Sequence, residues 1–139
     1  HTDSSKKKIY KKKINKKNKI IKKKLFKKFT SKEGSPDGMT LDKDKNLWVA
    51  HFHGACISVF NKKAELINKI YFPAKNITNC TFGGKNNNEL FVTSATKGMS
   101  KADIQKFSYS GALFSVKTNT KGVLQKKFVI KNEKKRSLL

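Results

Sequence analysis

The sequence predicts an all-β fold of antiparallel strands, and three observations carry that prediction. Short runs rich in Val, Ile, Thr and aromatic residues recur between turn residues: Leu47–Phe52, Cys56–Phe60, Leu66–Phe72, Ile77–Phe82 and Glu89–Ala95. Polar connections part them, among them Asp42-Lys43-Asp44-Lys45-Asn46, Asn61-Lys62-Lys63-Ala64 and Gly83-Gly84-Lys85-Asn86-Asn87-Asn88. Leu47-Trp48-Val49 and Leu90-Phe91-Val92 each follow such a connection and lie 43 residues apart. Four-stranded units at that period are what the blades of a β-propeller give.

Residues 1–34 leave two readings open. Ile14, Ile21, Leu25 and Phe29 recur at helical spacing among lysines, the pattern of a basic amphipathic helix. The rival is two strands, Lys8–Ile14 and Lys19–Phe29, joined by Asn15-Lys16-Lys17-Asn18. Periodicity alone favours the helix. From Ser35 the meander begins with a turn, Pro36-Asp37-Gly38, and an apolar segment, Met39-Thr40-Leu41; Pro73 closes it. Residues 76–95 repeat the grammar, and 96–110 form an insertion with a short helix around Lys101–Lys106. Gly111–Lys117 reads as another strand, Val123–Ile130 as a further candidate, and Lys131–Leu139 as a frayed polar tail.

A chain of 139 residues, 36% hydrophobic and with ten Phe, has room for one modest core or a piece of a larger one. No apolar run is long enough to span a bilayer, and no secretory signal pattern is present. Cys56 and Cys80 read as reduced thiols, which points to the cytoplasm. The net charge of +24 invites a nucleic-acid reading. Residues 1–35 hold fifteen of the 33 basic residues and only two acids, Asp3 and Glu33. Yet Arg136 is the one arginine, and bidentate readout of bases and phosphates leans on arginine. The charge therefore reads mostly as amino-acid usage, with no specific nucleic-acid and no membrane partner expected. A non-catalytic binding module built on the lysines stays as the alternative.

Four phrases in order then become informative: SPDGMTLDKDKNLWVAHF, GACISVFNKKAELINKIYFP, ITNCTFGGKNNNELFVTSA and GALFSVKTNTKG. Together they resemble the C-terminal half of the gluconolactonase, regucalcin and luciferin-regenerating enzyme family. HTDSSKKKIYKKKIN and IIKKKLFKKF resemble that family's Asp-Ser strand end and its next two strands, which turns residues 6–29 from helix to strands by analogy. The resemblance implies a partial six-bladed β-propeller over residues 1–130, about two and a half blades, followed by a polar tail, 131–139. It also implies a metal-dependent hydrolase of sugar lactones, or a calcium-binding regulatory protein using the same cation site. The family's cation (calcium, zinc, magnesium or manganese) is held by a Glu, an Asn and the Asp of Pro-Asp-Gly, which here looks like Asp37. The Glu-Ser-Pro and Asn-Gly motifs, and the family's substrate-holding Arg and Asn, have no counterpart in this sequence. The resemblance thus implies a portion of an enzyme that needs the missing N-terminal half of the propeller to act.

Asp37 is the single candidate for both catalysis and metal binding. Lactone hydrolysis needs a Lewis acid and a carboxylate that shuttles a proton. From the tripeptide alone, Pro-Asp-Gly is a turn; the surrounding phrases raise it to a site. Asp42-x-Asp44-x-Asn46 has calcium-loop spacing, but Leu47 and His53 stand where Gly and Glu are required, so it reads as a hairpin turn. His51, His53 and Cys56 are weak zinc ligands by spacing, alternation placing both imidazoles on one strand face. Asn79 or Cys80 is expected to border the propeller channel, Cys80 mainly as packing.

Overall fold

The computed structural model describes residues 1–124, and every strand in it belongs to an antiparallel meander. Strands β1 (Thr2–Asp3), β2 (Lys8–Ile14) and β3 (Ile20–Lys28) form the first sheet. A 3-10 turn, Ser31–Glu33, leads into the second: β4 (Ser35–Leu41), β5 (Leu47–Phe52), β6 (Cys56–Phe60) and β7 (Leu66–Tyr71). The third contains β8 (Asn76–Gly83), β9 (Glu89–Ala95) and β10 (Leu113–Lys117), with the helix α1 (Lys101–Lys106) between β9 and β10. Only the second sheet has the four strands expected of each; the other two have three among the described residues. The strand expected over Val123–Ile130 lies outside those residues from 125 on, as does the tail.

The helix suggested by Ile14, Ile21, Leu25 and Phe29 does not form; residues 8–28 are a hairpin. Its register explains the misleading period. Bulges between Ile9 and Tyr10 and between Lys13 and Ile14 interrupt the pairing, so the apolar residues of β3 do not keep a spacing of two. β-branched Ile favours the extended backbone, and Asn15 and Asn18 serve the hairpin turn between the two strands.

The two central strands of the second sheet are buried on both faces. Alternate residues of β5 and β6 point to opposite neighbours: Val49 and Phe60 join Ile9 and Phe29 of the first sheet. Trp48, Ala50, Ile57 and Val59 join Ile77, Cys80, Leu90 and Val92 of the third. This two-sided burial is why all five residues of Cys56–Phe60 are buried and why that run lacks polar alternation.

Four hairpins share one turn design. In each, the fourth residue adopts left-handed φ: Asn18, Lys45, Ala64 and Asn87. Its N–H bonds the carbonyl of the first, respectively Asn15, Asp42, Asn61 and Gly84, at 2.9–3.1 Å. In three of the four, the first side chain also accepts two backbone N–H groups. Asn15 Oδ1 takes Lys17 and Lys19, Asn61 Oδ1 takes Lys63 and Glu65, and Asp42 Oδ1 takes Asp44 and Asn46. Lys45 and Asn87 are 42 positions apart, so the structural repeat is one residue shorter than the Leu47/Leu90 spacing suggested. Trp48, not Leu47, corresponds to Leu90, and both are buried.

Asp42 does more than shape its turn. Its Oδ2 accepts the Asn46 Nδ2 at 2.9 Å and the indole Nε1 of Trp48 at 3.1 Å, fixing the core tryptophan to the hairpin. Asp42 also bridges to Gly122, and Asn87 donates its side-chain N–H to the Gly122 carbonyl at 2.7 Å. The segment ending at Gly122 thereby straps the tips of the β4–β5 and β8–β9 hairpins together. Replacing Asp42 with Ala should lower unfolding free energy by about 2–4 kcal/mol, because four donors lose a buried carboxylate. The exposed Asp44→Ala change should stay within about 0.5 kcal/mol. Urea denaturation of the two variants measures the difference.

Candidate functional site

Pro36-Asp37-Gly38 is not a free turn; it lies inside β4. Pro36 pairs with His51 and Met39 with Val49, so Asp37 and Gly38 together oppose the single residue Ala50 as a bulge. β4 is the edge strand of its sheet, which is where a proline lacking an N–H is tolerated. The bulge sets Asp37 off the regular pleat.

Three sheets converge on that bulge. From the first, Thr2 Oγ1 donates to the Asp37 carbonyl at 3.2 Å and Ser4 Oγ to the Pro36 carbonyl at 2.7 Å. From the third, Asn79 packs so closely that a Cβ at Gly38 would overlap its side chain and backbone. Gly38 is therefore a requirement of close approach. The repeat makes Asn79 the counterpart of Asp37: counting back equally from the two hairpins lands on one in β4 and on the other in β8. Asn79 is exposed and Cys80 buried, so of the two it is Asn79 that borders this surface.

Asp37 is half-buried, and its carboxyl is raised above the ordinary aspartate range by desolvation, with no hydrogen bond or cation to offset it. Asp3 lies on β1, which contacts β4, but it is otherwise engaged. Its Oδ1 accepts the Ser5 hydroxyl and the Lys6 N–H, closing the turn after β1. Among the described residues, no three His, Cys, Asp or Glu gather as cation ligands. Asp37 with neutral Asn79 beside its strand does not make a calcium or magnesium cage, which needs about six oxygens. The residues present do not by themselves fit a tightly held cation.

The zinc spacing dissolves in the structure. His51 is buried, its Nδ1–H donating to the Glu33 carbonyl at 2.7 Å and its ring set edge-on to Phe29. Its Nε2 is buried without a partner among the described residues, and burial holds its pKa below the usual value. β5 ends at Phe52, so His53 leaves the strand in left-handed φ and is exposed instead of sharing the His51 face. Cys80 is pushed up to about 12 by burial and Cys56 is raised likewise; both are free thiols, poor ligands and poor nucleophiles. The Asp42–Asp44–Asn46 loop binds its own backbone, as the missing Gly and Glu required.

A cleft of about 590 Å³ opens elsewhere, between β2 and the β4–β5 hairpin, and Asp37 does not line it. Sequence reasoning missed Asn79 as the partner of the Asp37 bulge and His51 as a buried residue. The 42-residue turn spacing is the signal for the first. Nothing local in the sequence marks the second.

Residues 1–96 match the SMP-30/Gluconolactonase/LRE-like region family. The chain is 41% identical over 98 residues to a Bacillus subtilis protein named "Putative sugar lactone lactonase YvrE", covering 68% of this chain and 33% of that one. It is 37% identical over 90 residues to regucalcin of Danio rerio, covering 64% and 30%. It superposes on a luciferin-regenerating enzyme with a TM-score of 0.77 at 29% identity, covering 87% of this chain and 41% of that one. It shares its fold with a calcium-binding protein, regucalcin, of Agrobacterium tumefaciens, with a TM-score of 0.84 at 20% identity over 92% and 44%. The chain spans about a third of the length of the curated relatives it matches.

Because burial raises the folded-state pKa of Asp37, the folded chain binds its proton more tightly than the unfolded chain. The Asp37 contribution to stability therefore falls as pH rises from the unfolded value through the folded one. Asp37→Asn should stabilise the chain at pH 7, and that gain should vanish as pH falls below the ordinary aspartate value. Urea midpoints of the two proteins across pH test the sign.

Proposed function

The chain belongs to the SMP-30/Gluconolactonase/LRE-like family, and we propose that it is the C-terminal portion of a sugar-lactone hydrolase built as a six-bladed β-propeller. The three sheets are then successive blades. The 42-residue repeat and the two-sided burial of β5 and β6 within the β4–β7 sheet support this reading, since a ring of blades covers both faces of each. The described residues 1–124 fall within the propeller portion; its expected end at residue 130 and the tail 131–139 lie outside the described residues. Two reduced, buried thiols suit a cytoplasmic setting, and no helix among the described residues is long and apolar enough to cross a membrane.

The observation that carries the reading is the place of Asp37. It sits on a bulge where three sheets meet, with its carboxyl desolvated and unpaired. In the complete ring this is a position facing the central axis, where ligands from other blades reach the same point. Asp37 is the ligand this chain supplies, and the remaining ligands come from segments outside it. Asp37 would be one ligand of a divalent cation in the complete ring, and such a cation would supply Lewis-acid polarisation of a lactone carbonyl. The Asp37 carboxylate would be positioned beside the attacking water to take its proton. Gly38 lets β8 close against the bulge, and Thr2 and Ser4 hold its backbone still. The substrate class is a small sugar lactone, a neutral ring that asks for no cationic pocket.

The 139-residue chain alone should hydrolyse gluconolactone no faster than a metal-only blank with calcium, zinc, magnesium or manganese. Metal-stimulated turnover by this chain alone would show that the site is complete without the missing ligands.

A further inference from the structure

The β2–β3 hairpin carries a charge that the proposed lactone site does not use. Residues 6–28 contain fourteen lysines and no acidic residue. The hairpin lies at the edge of the molecule, with β3 paired on one side only and exposed along most of its length. At its tip, Ile14 and Ile20 are cross-strand partners, and with Ile21 they are 55–58% exposed. Lys16, Lys17 and Lys19 surround them, all exposed. An apolar tip held open within a ring of ammonium groups is costly in water and gains nothing from the rest of this chain.

We infer that this hairpin docks on an anionic lipid surface, the lysines over the headgroups and the isoleucine tip entering the interface. The hairpin carries a complement to each component of that partner. Lysine acts as a point charge toward a diffuse anionic plane, and exposed apolar side chains add burial at the headgroup boundary. A nucleic acid fits the same charge less well. The hairpin has no arginine for bidentate phosphate or base contacts. Its one tyrosine, Tyr10, is capped by the Lys23 ammonium at 4.0 Å, and Phe26 packs into the core, so no ring is offered for base stacking. Isoleucines at the tip would face solvent in such a complex. Among the described residues no hydrogen bond joins the hairpin to Asp37 or Asn79, so docking and lactone chemistry are tested separately.

The test is sedimentation of the 139-residue chain with vesicles of phosphatidylcholine, with and without about 30 mol % phosphatidylserine. Binding should require phosphatidylserine and should drop steeply between about 0.1 M and 0.5 M salt. Ile14→Ser with Ile20→Ser should weaken it about tenfold, as should Lys16→Ser with Lys17→Ser and Lys19→Ser. All five positions are exposed, and circular dichroism checks that the sheets persist; should one set unfold the chain, the other decides. Failure to bind, equal binding to neutral vesicles, or binding indifferent to either set overturns the inference. So does a single-stranded polynucleotide that binds more tightly than the vesicles and is insensitive to the isoleucine changes.

Discussion

The structure depends on a sheet whose two central strands are apolar on both faces. β5 and β6 send alternate side chains to opposite neighbours, and neither cluster closes without the sheet on its own side. A single sheet with such strands is not stable in water, because half of its apolar surface would stay wet whichever face it covered. Three sheets are the minimum that buries the middle one. The requirement passes outward: the first and third sheets each have an inner face occupied by the second and an outer face that it cannot reach. Leu25 on the first sheet remains exposed. Repetition that continues until it closes is the general solution to this problem.

Packing at the centre also decides where chemistry is possible. Asp42 and Asp37 are both aspartates of the β4 region, yet they have opposite surroundings. Asp42 is fully enclosed and accepts two backbone N–H groups, an amide and an indole, so its charge is spent on holding the hairpin and Trp48. Asp37 has lost water without gaining a donor, which leaves its charge available to something that arrives. A carboxylate left in that state costs stability in the isolated chain and repays it only when a cation or substrate is present.

Much of this was legible in the sequence, and the failures have physical causes. Strands from Leu47 to Ala95 could be read because β-branched and aromatic runs stand between polar turns, and the helix at Lys101–Lys106 because it caps locally: Ser100 accepts the Asp103 N–H at 3.1 Å. The hairpins could be read because Asn15, Asp42 and Asn61 carry their turn chemistry in the side chain. Residues 8–28 misled because bulges shifted the apolar period toward that of a helix, and only the resemblance to a family turned them to strands. Pro36-Asp37-Gly38 has the composition of a turn, and its conversion to a bulge depends on β5 and β8, both distant in sequence. His51 and His53 looked equivalent until the strand end at Phe52 separated a core residue from a surface one. The position of Asp37 at the meeting of three sheets is a tertiary fact, and its chemical meaning came from the family phrases around it.

The central claim is that Asp37 completes a site whose other ligands lie on segments this chain does not contain. Its most direct measurement is complementation: this chain is mixed with the part of the Bacillus subtilis relative that it does not cover, and lactone hydrolysis is followed with and without added divalent cation. An incomplete site predicts that the two pieces associate, that cation-dependent hydrolysis appears only in the mixture, and that Asp37→Asn abolishes it while leaving association intact. Hydrolysis that is unchanged by Asp37→Asn, or a mixture that associates and stays inactive with every cation, would contradict it.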